Sequence, residues 1–555
     1  MTESNEAALA LADRYWDDLM GLDPVWATQV GDERFDDRLP DPTEAGRDRR
    51  RAVNQAALSD ANTIPRDDQG ETERTTLDVL RAIAQRELTA LRFRTDQALA
   101  VAHLAGPGML LATLASIQRA DTTERAERYV RRLEAFPAYL EGLADAAQEG
   151  VETGFVAPAV VVHRSIGQVE RLLALSPDES PGMVPAAAAP DEERDRVTAA
   201  LRDRVWPAYQ RYLEALRRYR PSARDSIGLC GLPDGEERYA AEIVGFVTIP
   251  LDPKDVHQVG RERLAAIDEE RQRIAERLGH PDHVAALEAH RDSGHDTPGS
   301  REDVIRLAEA QVQRGWDAAA GWFGRLPERN CEVRAIEEFR EQDAPPAYYQ
   351  PPSGDNTRSG IYYVNTFDHA ERRLSQLAPI TYHEANPGHH FQIAIEQEFT
   401  GRPALRRFGG IAVGSSFVEG WGLYSERLAD EMDLYADDHE RLGMLAAQAW
   451  RAARLVVDTG IHALGWDRDR AVAALHEATG GARSNAEIEV DRYICWPGQA
   501  LSYMVGQLEI ERWRASLARR EGDAFSLRAF HDRLLSLGSL PLESLQRELD
   551  VGPRP

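Results

Sequence analysis

Apolar residues recur every three or four positions along most of this chain, a spacing that predicts a mainly helical protein. The first such stretch covers residues 7–20 and stops at Gly21-Leu-Asp-Pro24, because proline disfavours helix in the residue before it. The later stretches are rich in Ala, Leu, Glu and Arg, which are strong helix formers. They cover residues 47–62, 70–95, 124–150, 165–175, 191–219, 256–278, 304–320, 377–398, 415–434, 441–464, 467–479, 484–493, 497–520, 524–537 and 542–549.

One region departs from the helical pattern. Residues 331–367 alternate Pro and Gly turns with short runs of β-branched and aromatic residues, and Ile361-Tyr-Tyr-Val364 is the clearest of these runs. We therefore predict a small antiparallel sheet beside a large multi-helix body. A second break, the Pro- and Ala-rich residues 176–190, predicts a surface loop.

Composition narrows the classes of partner. The chain of 555 residues has 93 acidic and 66 basic side chains, for a net charge of −27 at pH 7. Such a charge argues against nucleic acids and anionic membranes as partners. The three cysteines are far apart, which excludes a cysteine-built zinc site and a disulfide framework. We see no signal-peptide pattern and no run of about 18 apolar residues, so we expect a cytoplasmic protein.

One stretch concentrates side chains that bind metals. Thr381-Tyr-His-Glu-Ala-Asn-Pro-Gly-His-His390 places three histidines and a glutamate within eight residues. His383-Glu384 starts the zinc-hydrolase pattern His-Glu-x-x-His, whose two histidines lie on one helical face and bind one ion. A carboxylate beside that ion, here Glu384, can accept a proton from water and pass it to a leaving amine.

The second histidine of that pattern is displaced, because Pro387 occupies its position. Pro387 has no N–H to bond the His383 carbonyl, and Gly388 relaxes the backbone, so we predict a kinked or bulged turn. Counting Pro-Gly as an insertion favours His389 as the second ligand, whereas helical phase favours His390, and the sequence leaves both open. The alternative is a helix that begins at Pro387 and carries two surface histidines.

A third ligand is predicted on the next helix. Glu419 lies 36 residues after His383, in Phe417-Val-Glu-Gly-Trp-Gly-Leu-Tyr-Ser-Glu426, and two antiparallel helices would bring it over the histidines. Glu426 comes seven residues later and therefore shares the helical face of Glu419. Both stand among apolar neighbours, where a carboxylate is costly unless it is paired or bound to a metal.

Two later stretches are candidates to complete the site. Arg451, Asp458 and His462 follow one another at spacings of seven and four, on one face of a predicted helix, with Arg454 near the same side. A polar stripe on an otherwise apolar helix needs partners. Tyr503 stands near a helix start, where its hydroxyl could donate a hydrogen bond to a developing oxyanion.

These stretches together resemble the DUF885 family, a bacterial group. The pieces that match it are His383-Glu-Ala-Asn-Pro-Gly-His-His-Phe-Gln392, Glu419-Gly-Trp-Gly-Leu-Tyr-Ser-Glu426, Val457-Asp-Thr-Gly-Ile-His462, Pro497-Gly-Gln-Ala-Leu-Ser-Tyr503, Asp23-Pro-Val-Trp-Ala-Thr28 with Gly31, and Gly360-Ile-Tyr-Tyr-Val-Asn365. The resemblance covers nearly the whole chain. The family is similar in layout to zinc oligopeptidases of the thimet-oligopeptidase and angiotensin-converting-enzyme type.

That resemblance implies a mostly helical, peptidase-like body with a deep channel, in which Glu419 is the third zinc ligand. It implies that Tyr503 or His462 stabilises the oxyanion. It also implies a short strand before the zinc helix that pairs with the substrate backbone, and residues 361–365 are placed to do this. We accordingly predict three substrate-binding residues, which are Tyr363, Asn365 and Arg454.

The sequence as a whole favours a zinc-dependent metallopeptidase, a hydrolase of short oligopeptides with one Zn²⁺ per chain, acting as a monomer or homodimer. The catalytic unit would span residues 1–555, with an N-terminal helical lobe at 1–230 and a catalytic lobe at 231–555. Two other functions stay open: a metal-dependent hydrolase of a non-peptide amide or ester, and a non-catalytic helical binding protein. Exo- or endopeptidase action and side-chain preference stay open too.

Overall fold

The computed structural model describes residues 3–66, 68–104, 106–338, 341, 344–354 and 358–553. The described chain is mainly helical with one small sheet, which confirms the predicted fold class. It divides into two compact units, Met1–Gly235 and Glu236–Pro555. In this part of the chain, no helix has the length and apolar character needed to cross a bilayer.

In its described residues, the first unit contains helices and no strand. Its helices are α1 (Glu3–Leu22), α2 (Pro24–Val30), α3 (Glu44–Thr63), α4 (Glu71–Phe93), α5 (Thr95–Leu99), α6 (Leu110–Ile117), α7 (Thr123–Glu134), α8 (Phe136–Thr153), α9 (Ala159–Ala174), α10 (Asp191–Ala200) and α11 (Trp206–Tyr219). The stretch predicted as one helix over 124–150 is two helices, because Pro137 fits only the first turn of a new one. Likewise, a π-helical turn at Leu201–Val205 separates α10 from α11.

The second unit holds the sheet and all the residues of the predicted site. Its helices are α12 (Gly235–Val247), α13 (Pro253–Arg277), α14 (His283–Asp292), α15 (Arg301–Ala319), α16 (Leu374–Glu384), α17 (His389–Glu398), α18 (Ala404–Phe408), α19 (Gly410–Val413), α20 (Ser416–Glu431), α21 (Asp438–His462), α22 (Arg468–Thr479), α23 (Arg483–Cys495), α24 (Ser502–Glu521), α25 (Leu527–Leu537) and α26 (Leu542–Glu548). Helix α21 is buried along nearly its whole second half, so other elements pack on every side of it.

The sheet has three four-residue strands, β1 (Glu332–Ala335), β2 (Ala347–Gln350) and β3 (Ile361–Val364). The strand order is β1-β3-β2, with β1 parallel and β2 antiparallel to β3. The predicted antiparallel sheet is therefore a mixed one, because β1 is parallel to β3. The chain enters β3 only after it has formed β2, so β1 and β3 are joined by a crossover rather than a hairpin. Part of the predicted β-rich region, residues 339, 340, 342, 343 and 355–357, lies outside the described residues.

The sheet packs against two helices of the site. Apolar residues of α15, the sheet and α16 share one buried cluster, in which Tyr362 and Ala385 are fully buried. The Tyr362 hydroxyl also lies 3.1 Å from the hydroxyl of Thr381 on α16. The sheet thus serves as a platform that fixes the helix carrying His383.

Candidate metal centre

The predicted interruption of the histidine helix is a complete break. Helix α16 ends at Glu384 and α17 begins at His389, and the Asn386–Pro387 peptide between them is cis. Gly388 passes so close to the preceding turn that an added Cβ would collide with the His383 carbonyl oxygen. Only glycine fits there, so the Pro-Gly pair ends one helix and lets the next start with a new phase.

Neighbouring helices hold this turn in place. The side-chain amide of Asn386 donates a hydrogen bond of 3.0 Å to the Val312 carbonyl on α15. Gly315 lies one turn further along α15, and a Cβ added there would collide with the Asn386 carbonyl oxygen. From the other side, the Trp421 indole donates a hydrogen bond of 2.9 Å to the Pro387 carbonyl. The turn is therefore clamped between α15 and α20.

Four side chains converge beside the break. The rings of His383 and His389 have centroids 4.7 Å apart, and their Nε2 atoms lie 3.6 Å and 3.5 Å from the same oxygen, Oε2 of Glu419. Oε2 of Glu384 lies 3.9 Å from Nε2 of His389. One ligand atom from each of His383, Glu384 and His389 falls within 4.8 Å of the other two. In the described part of the chain, this is the one group of histidine, cysteine and carboxylate side chains that meets such a limit.

The separations fit a zinc ion. Two ligand atoms that each lie about 2.0–2.2 Å from a tetrahedral zinc are roughly 3.3–3.6 Å apart. The distances from Glu419 to the two imidazole nitrogens match that spacing, and the longer distance from Glu384 suits a group beside the ion. Gly422, on the turn of α20 after Glu419, keeps space open, because a Cβ there would lie 2.8 Å from Nε2 of His383.

Electrostatics also favour a cation. Burial lowers the pKa of His383, but the neighbouring carboxylates of Glu419 and Glu426 outweigh burial and raise that pKa to about 9. Burial raises the pKa of Glu419, yet the two histidines hold it well below its usual range. Burial raises the pKa of Glu384. Three carboxylates around two imidazoles give the centre a surplus of negative charge.

Glu426 orients His383 from behind. Its Oε1 lies 2.8 Å from Nδ1 of His383, which leaves Nε2 to face Glu419. The Gln448 amide donates to the other oxygen of Glu426 at 3.4 Å, and the Arg451 guanidinium lies 3.8 Å from Oε1. A carboxylate that accepts the second N–H of a histidine ligand fixes its tautomer and increases its basicity. The seven-residue spacing of Glu419 and Glu426 thus serves both nitrogens of one ring.

Replacing Glu426 by glutamine should weaken zinc binding by about 10-fold, because an amide oxygen is a poorer acceptor for the Nδ1–H group than a carboxylate. The affinity would be measured by competition with a chromogenic chelator. Glu431→Gln is the matched control, since this carboxylate sits on the same helix but is 41% exposed and pairs with Arg514. Equal affinities for the two variants would contradict the role of Glu426.

Tyr503 reaches the centre because two helices touch backbone to backbone. An added Cβ on Gly420 of α20 or on Gly506 of α24 would collide with the other helix. This close approach brings Tyr503, one turn before Gly506, to 6.3 Å from the His383 ring, centroid to centroid. Burial raises the pKa of Tyr503, so the phenol keeps its proton and remains a donor.

The polar side chains predicted to form a stripe on α21 are each paired with other groups, but not all of these groups lie at the metal centre. Arg451 lies beside Glu426, as described above, whereas Asp458 accepts hydrogen bonds from the backbone N–H of Gly498 at 3.1 and 3.2 Å. Gly498 has a φ of 81° and starts the turn that leads into α24. Nε2 of His462 faces the Tyr493 carbonyl oxygen at 3.1 Å, and its ring packs against Tyr239. The structure thus places His462 in the helix packing and Tyr503 at the centre.

His390 is turned away from the centre, which corrects its prediction as a metal ligand. Its Nε2 lies 2.8 Å from the Arg329 carbonyl oxygen and its Nδ1 lies 2.9 Å from the Tyr349 hydroxyl. Burial lowers the pKa of His390 to about 4, so the ring is neutral and both nitrogens are used. Helical phase does not carry over from His383 to His390, because the break before His389 resets it.

Two predicted substrate-binding residues have other roles. Asn365 is buried, and its side-chain amide donates to three backbone carbonyls, the shortest being a bond of 2.7 Å to Glu341. The Tyr363 ring stacks on Tyr348 across the sheet, with centroids 4.9 Å apart. Strand β3 is the central strand, so both of its edges are already paired and cannot accept a peptide. The prediction that residues 361–365 pair with substrate is therefore wrong.

Arg454, the third predicted binding residue, does lie next to the centre. Its guanidinium sits over the Tyr503 ring, 4.2 Å from the centroid. Three further residues of the site were not predicted from the sequence: Trp450, which flanks both Arg451 and Arg454, and Gly422 and Gly315, which make room for the centre. The glycines inside otherwise helical stretches were a usable signal, because such glycines usually mark a close approach.

Comparison with other proteins supports the family resemblance. The sequence profile of a family described as "Bacterial protein of unknown function (DUF885)" matches residues 24–549. A solved structure from Colwellia psychrerythraea, described as a "putative lipoprotein", is similar at 25% identity and a TM-score of 0.90, over 99% of both chains. A "putative lipoprotein of unknown function" from Shewanella oneidensis has 20% identity and a TM-score of 0.76, over 97% of this chain and 98% of that one, which shows the fold alone. No curated protein matches this sequence.

Proposed function

This chain belongs to the DUF885 family, and from the geometry of its site we propose that it is a zinc-dependent metallopeptidase acting on short oligopeptides. One observation carries the proposal: two imidazole nitrogens each lie at zinc-ligand spacing from the same carboxylate oxygen, with a second carboxylate beside them. Three protein ligands and an open position are typical of catalytic rather than structural zinc.

His383, His389 and Glu419 would hold the ion. When bound, zinc would supply a Lewis acid that acidifies water and polarises a carbonyl group. Glu384 is the general base, because its carboxylate lies next to His389 and is not one of the three proposed zinc ligands. It accepts a proton from water and passes it to the departing nitrogen.

Tyr503 is the group placed to stabilise the developing oxyanion. Its ring lies beside that of His383, and its phenol can donate one hydrogen bond to a carbonyl oxygen that gains charge. The C–N bond then breaks, the water oxygen stays on the acyl carbon, and the proton carried by Glu384 goes to the amine. A peptide thus yields one new carboxylate and one new amine.

The recessed position of the centre supports short, extended substrates. The side chains of His383, His389 and Glu384 are only 2%, 10% and 14% exposed. The surface of a folded protein cannot bring a peptide bond so deep, whereas an extended chain can. A small non-peptide amide or ester could also reach a centre at this depth.

The purified protein should contain about one zinc per chain and cleave members of a peptide library. Removal of the ion with a chelator should lower the rate at least about 100-fold, and added Zn²⁺ should restore it. Metal content would be measured by mass spectrometry and cleavage by chromatography of the products. Zinc with hydrolysis of simple esters or amides but not of peptides would favour the non-peptide hydrolase. A protein that binds no zinc and hydrolyses nothing would overturn the proposal.

A further inference from the structure

Two arginines of α21 form a cationic wall beside Tyr503. Arg451 and Arg454 are three residues apart, so both project from the same side of the helix. Their Cζ atoms each lie 4.8 Å from the centroid of the Trp450 ring. They also lie 6.0 Å and 4.2 Å from the centroid of the Tyr503 ring. Both guanidinium groups therefore lie near the same two aromatic rings, those of Trp450 and Tyr503.

This wall has more positive than negative charge. Arg454 shares Glu489 with Arg492, since Nη2 of each lies 3.3 Å and 3.0 Å from the same oxygen. Burial raises the pKa of Glu489, but the two guanidinium groups lower it to about 2. The carboxylate near Arg451 is Glu426, which already accepts the hydrogen bond of His383. The guanidinium groups of Arg454 and Arg492 thus share one carboxylate, and these three groups together carry a net positive charge.

Two N–H groups of this wall are buried. Nη1 of Arg454 and Nε of Arg451 have no hydrogen-bond partner among the described residues. The side chains of Arg454 and Arg451 are only 5% and 9% exposed. Burying a charged donor without an acceptor is costly, and an anion that arrives with a substrate would remove that cost. A carboxylate suits the planar, forked guanidinium best.

The wall is within reach of a peptide held at the metal centre. The Tyr503 ring connects the two, since it is 6.3 Å from the His383 ring and 4.2 Å from Cζ of Arg454. The sum of these two distances is therefore the largest possible separation between the centroid of the His383 ring and Cζ of Arg454. About three extended residues span roughly 10 Å, so a carboxylate within three residues of the scissile bond can reach Arg454.

We propose that Arg454 and Arg451, flanked by Trp450 and Tyr503, bind the free C-terminal carboxylate of the peptide substrate. The protein would then act as a carboxypeptidase that releases fragments of one to three residues. An acidic side chain could bring the same charge. The C-terminal carboxylate is favoured because every peptide has one at a fixed place in its backbone. It lies within three residues of the last peptide bonds, and this distance spans the gap from the metal centre to Arg454. This inference rests on the proposed peptidase function.

The test compares three blocked pentapeptides of one sequence: a free acid, its C-terminal amide, and an amide with aspartate as the last residue. Wild-type protein should cleave the free acid with a kcat/KM about 10- to 100-fold above that of the plain amide, as expected for a charge-assisted pair. In Arg454→Gln, the ratio of acid to amide should fall to about one. Arg441→Gln is the matched control, because Arg441 lies on the same helix but pairs with Asp430, and its ratio should equal that of the wild type.

Equal cleavage of acid and amide by the wild type would overturn the carboxylate site while leaving the peptidase function intact. Efficient cleavage of the aspartyl amide, at the rate of the free acid, would overturn the assignment to the C-terminus in favour of an acidic side chain. Cleavage of none of the three would count against the peptidase function instead. If none of the three is cleaved, or if Arg454→Gln fails to fold, the carboxylate site would be tested by calorimetry on the zinc-loaded wild type. A dipeptide acid should bind at least about 10-fold more tightly than its amide. Equal binding of the two would overturn the carboxylate site.

Discussion

Replacing Glu384 by glutamine should lower kcat for peptide cleavage by about 100- to 10,000-fold, the usual contribution of a general base, while zinc stays at one ion per chain. Glutamine has the same shape as glutamate but cannot accept a proton from water. The carboxylate lies 3.9 Å from Nε2 of His389, farther than Glu419, so the ligand set would remain complete without it. Turnover and metal content would be measured on the same preparation.

The Glu384→Gln experiment also separates a base from a ligand. An oxygen of Glu384 falls within 4.8 Å of both histidine nitrogens, so this side chain is close enough to be tested as the third ligand. Loss of zinc along with activity would show that Glu384 binds the ion. Full activity with full zinc would show that another group is the base. Glu431→Gln controls for the loss of one carboxylate on a neighbouring helix and should match the wild type in both measurements.

Replacing His389 by glutamine should weaken zinc binding by at least about 100-fold, whereas the same change at His390 should leave zinc at one ion per chain. Nε2 of His389 faces Glu419 at 3.5 Å, but both nitrogens of His390 are engaged by Arg329 and Tyr349. The two variants differ by one position and carry the same side chain, so each is the control of the other.

Thermal unfolding with and without Zn²⁺ gives a second measure of the His389 and His390 variants. A ligand at 1,000 times its dissociation constant stabilises the native state by about 4 kcal/mol. Wild-type protein and His390→Gln should gain that stability from zinc, and His389→Gln should not. His390→Gln should itself unfold about 1–3 kcal/mol more easily, since a buried histidine loses part of its hydrogen bonding. The opposite pattern of zinc dependence would make His390 the ligand.

Much of the candidate site was visible in the local sequence. His383-Glu384 and the break at Pro387-Gly388 could be located because a proline and a glycine end a helix by their own backbone chemistry. The seven-residue spacing of Glu419 and Glu426 placed both on one helical face, and the structure brings both to the His383 ring. These inferences depend only on neighbours within a few turns, where helical geometry is fixed.

The choice between His389 and His390 was different, because it depends on distant segments. The Arg329 carbonyl and the Tyr349 hydroxyl draw His390 away, while Glu419 faces His389. None of these partners can be inferred from the order of residues around the histidines. In the same way, both edges of β3 are occupied by strands whose paired residues lie 11 to 29 positions earlier in the chain, and this is why the expected pairing with substrate was wrong.

The sequence by itself determined the helical architecture, the break in the histidine helix and the set of candidate ligands, since each follows from local periodicity or from proline and glycine. Only the tertiary structure decided which nitrogens face inward, that Tyr503 rather than His462 lies at the centre, and that Arg454 keeps a buried N–H group without an acceptor among the described residues. The physical reason is that hydrogen bonds and close contacts between helices, such as that of Gly420 with Gly506, join residues far apart in the chain. Such contacts set the direction in which a side chain points, and the chemistry of this centre depends on that direction.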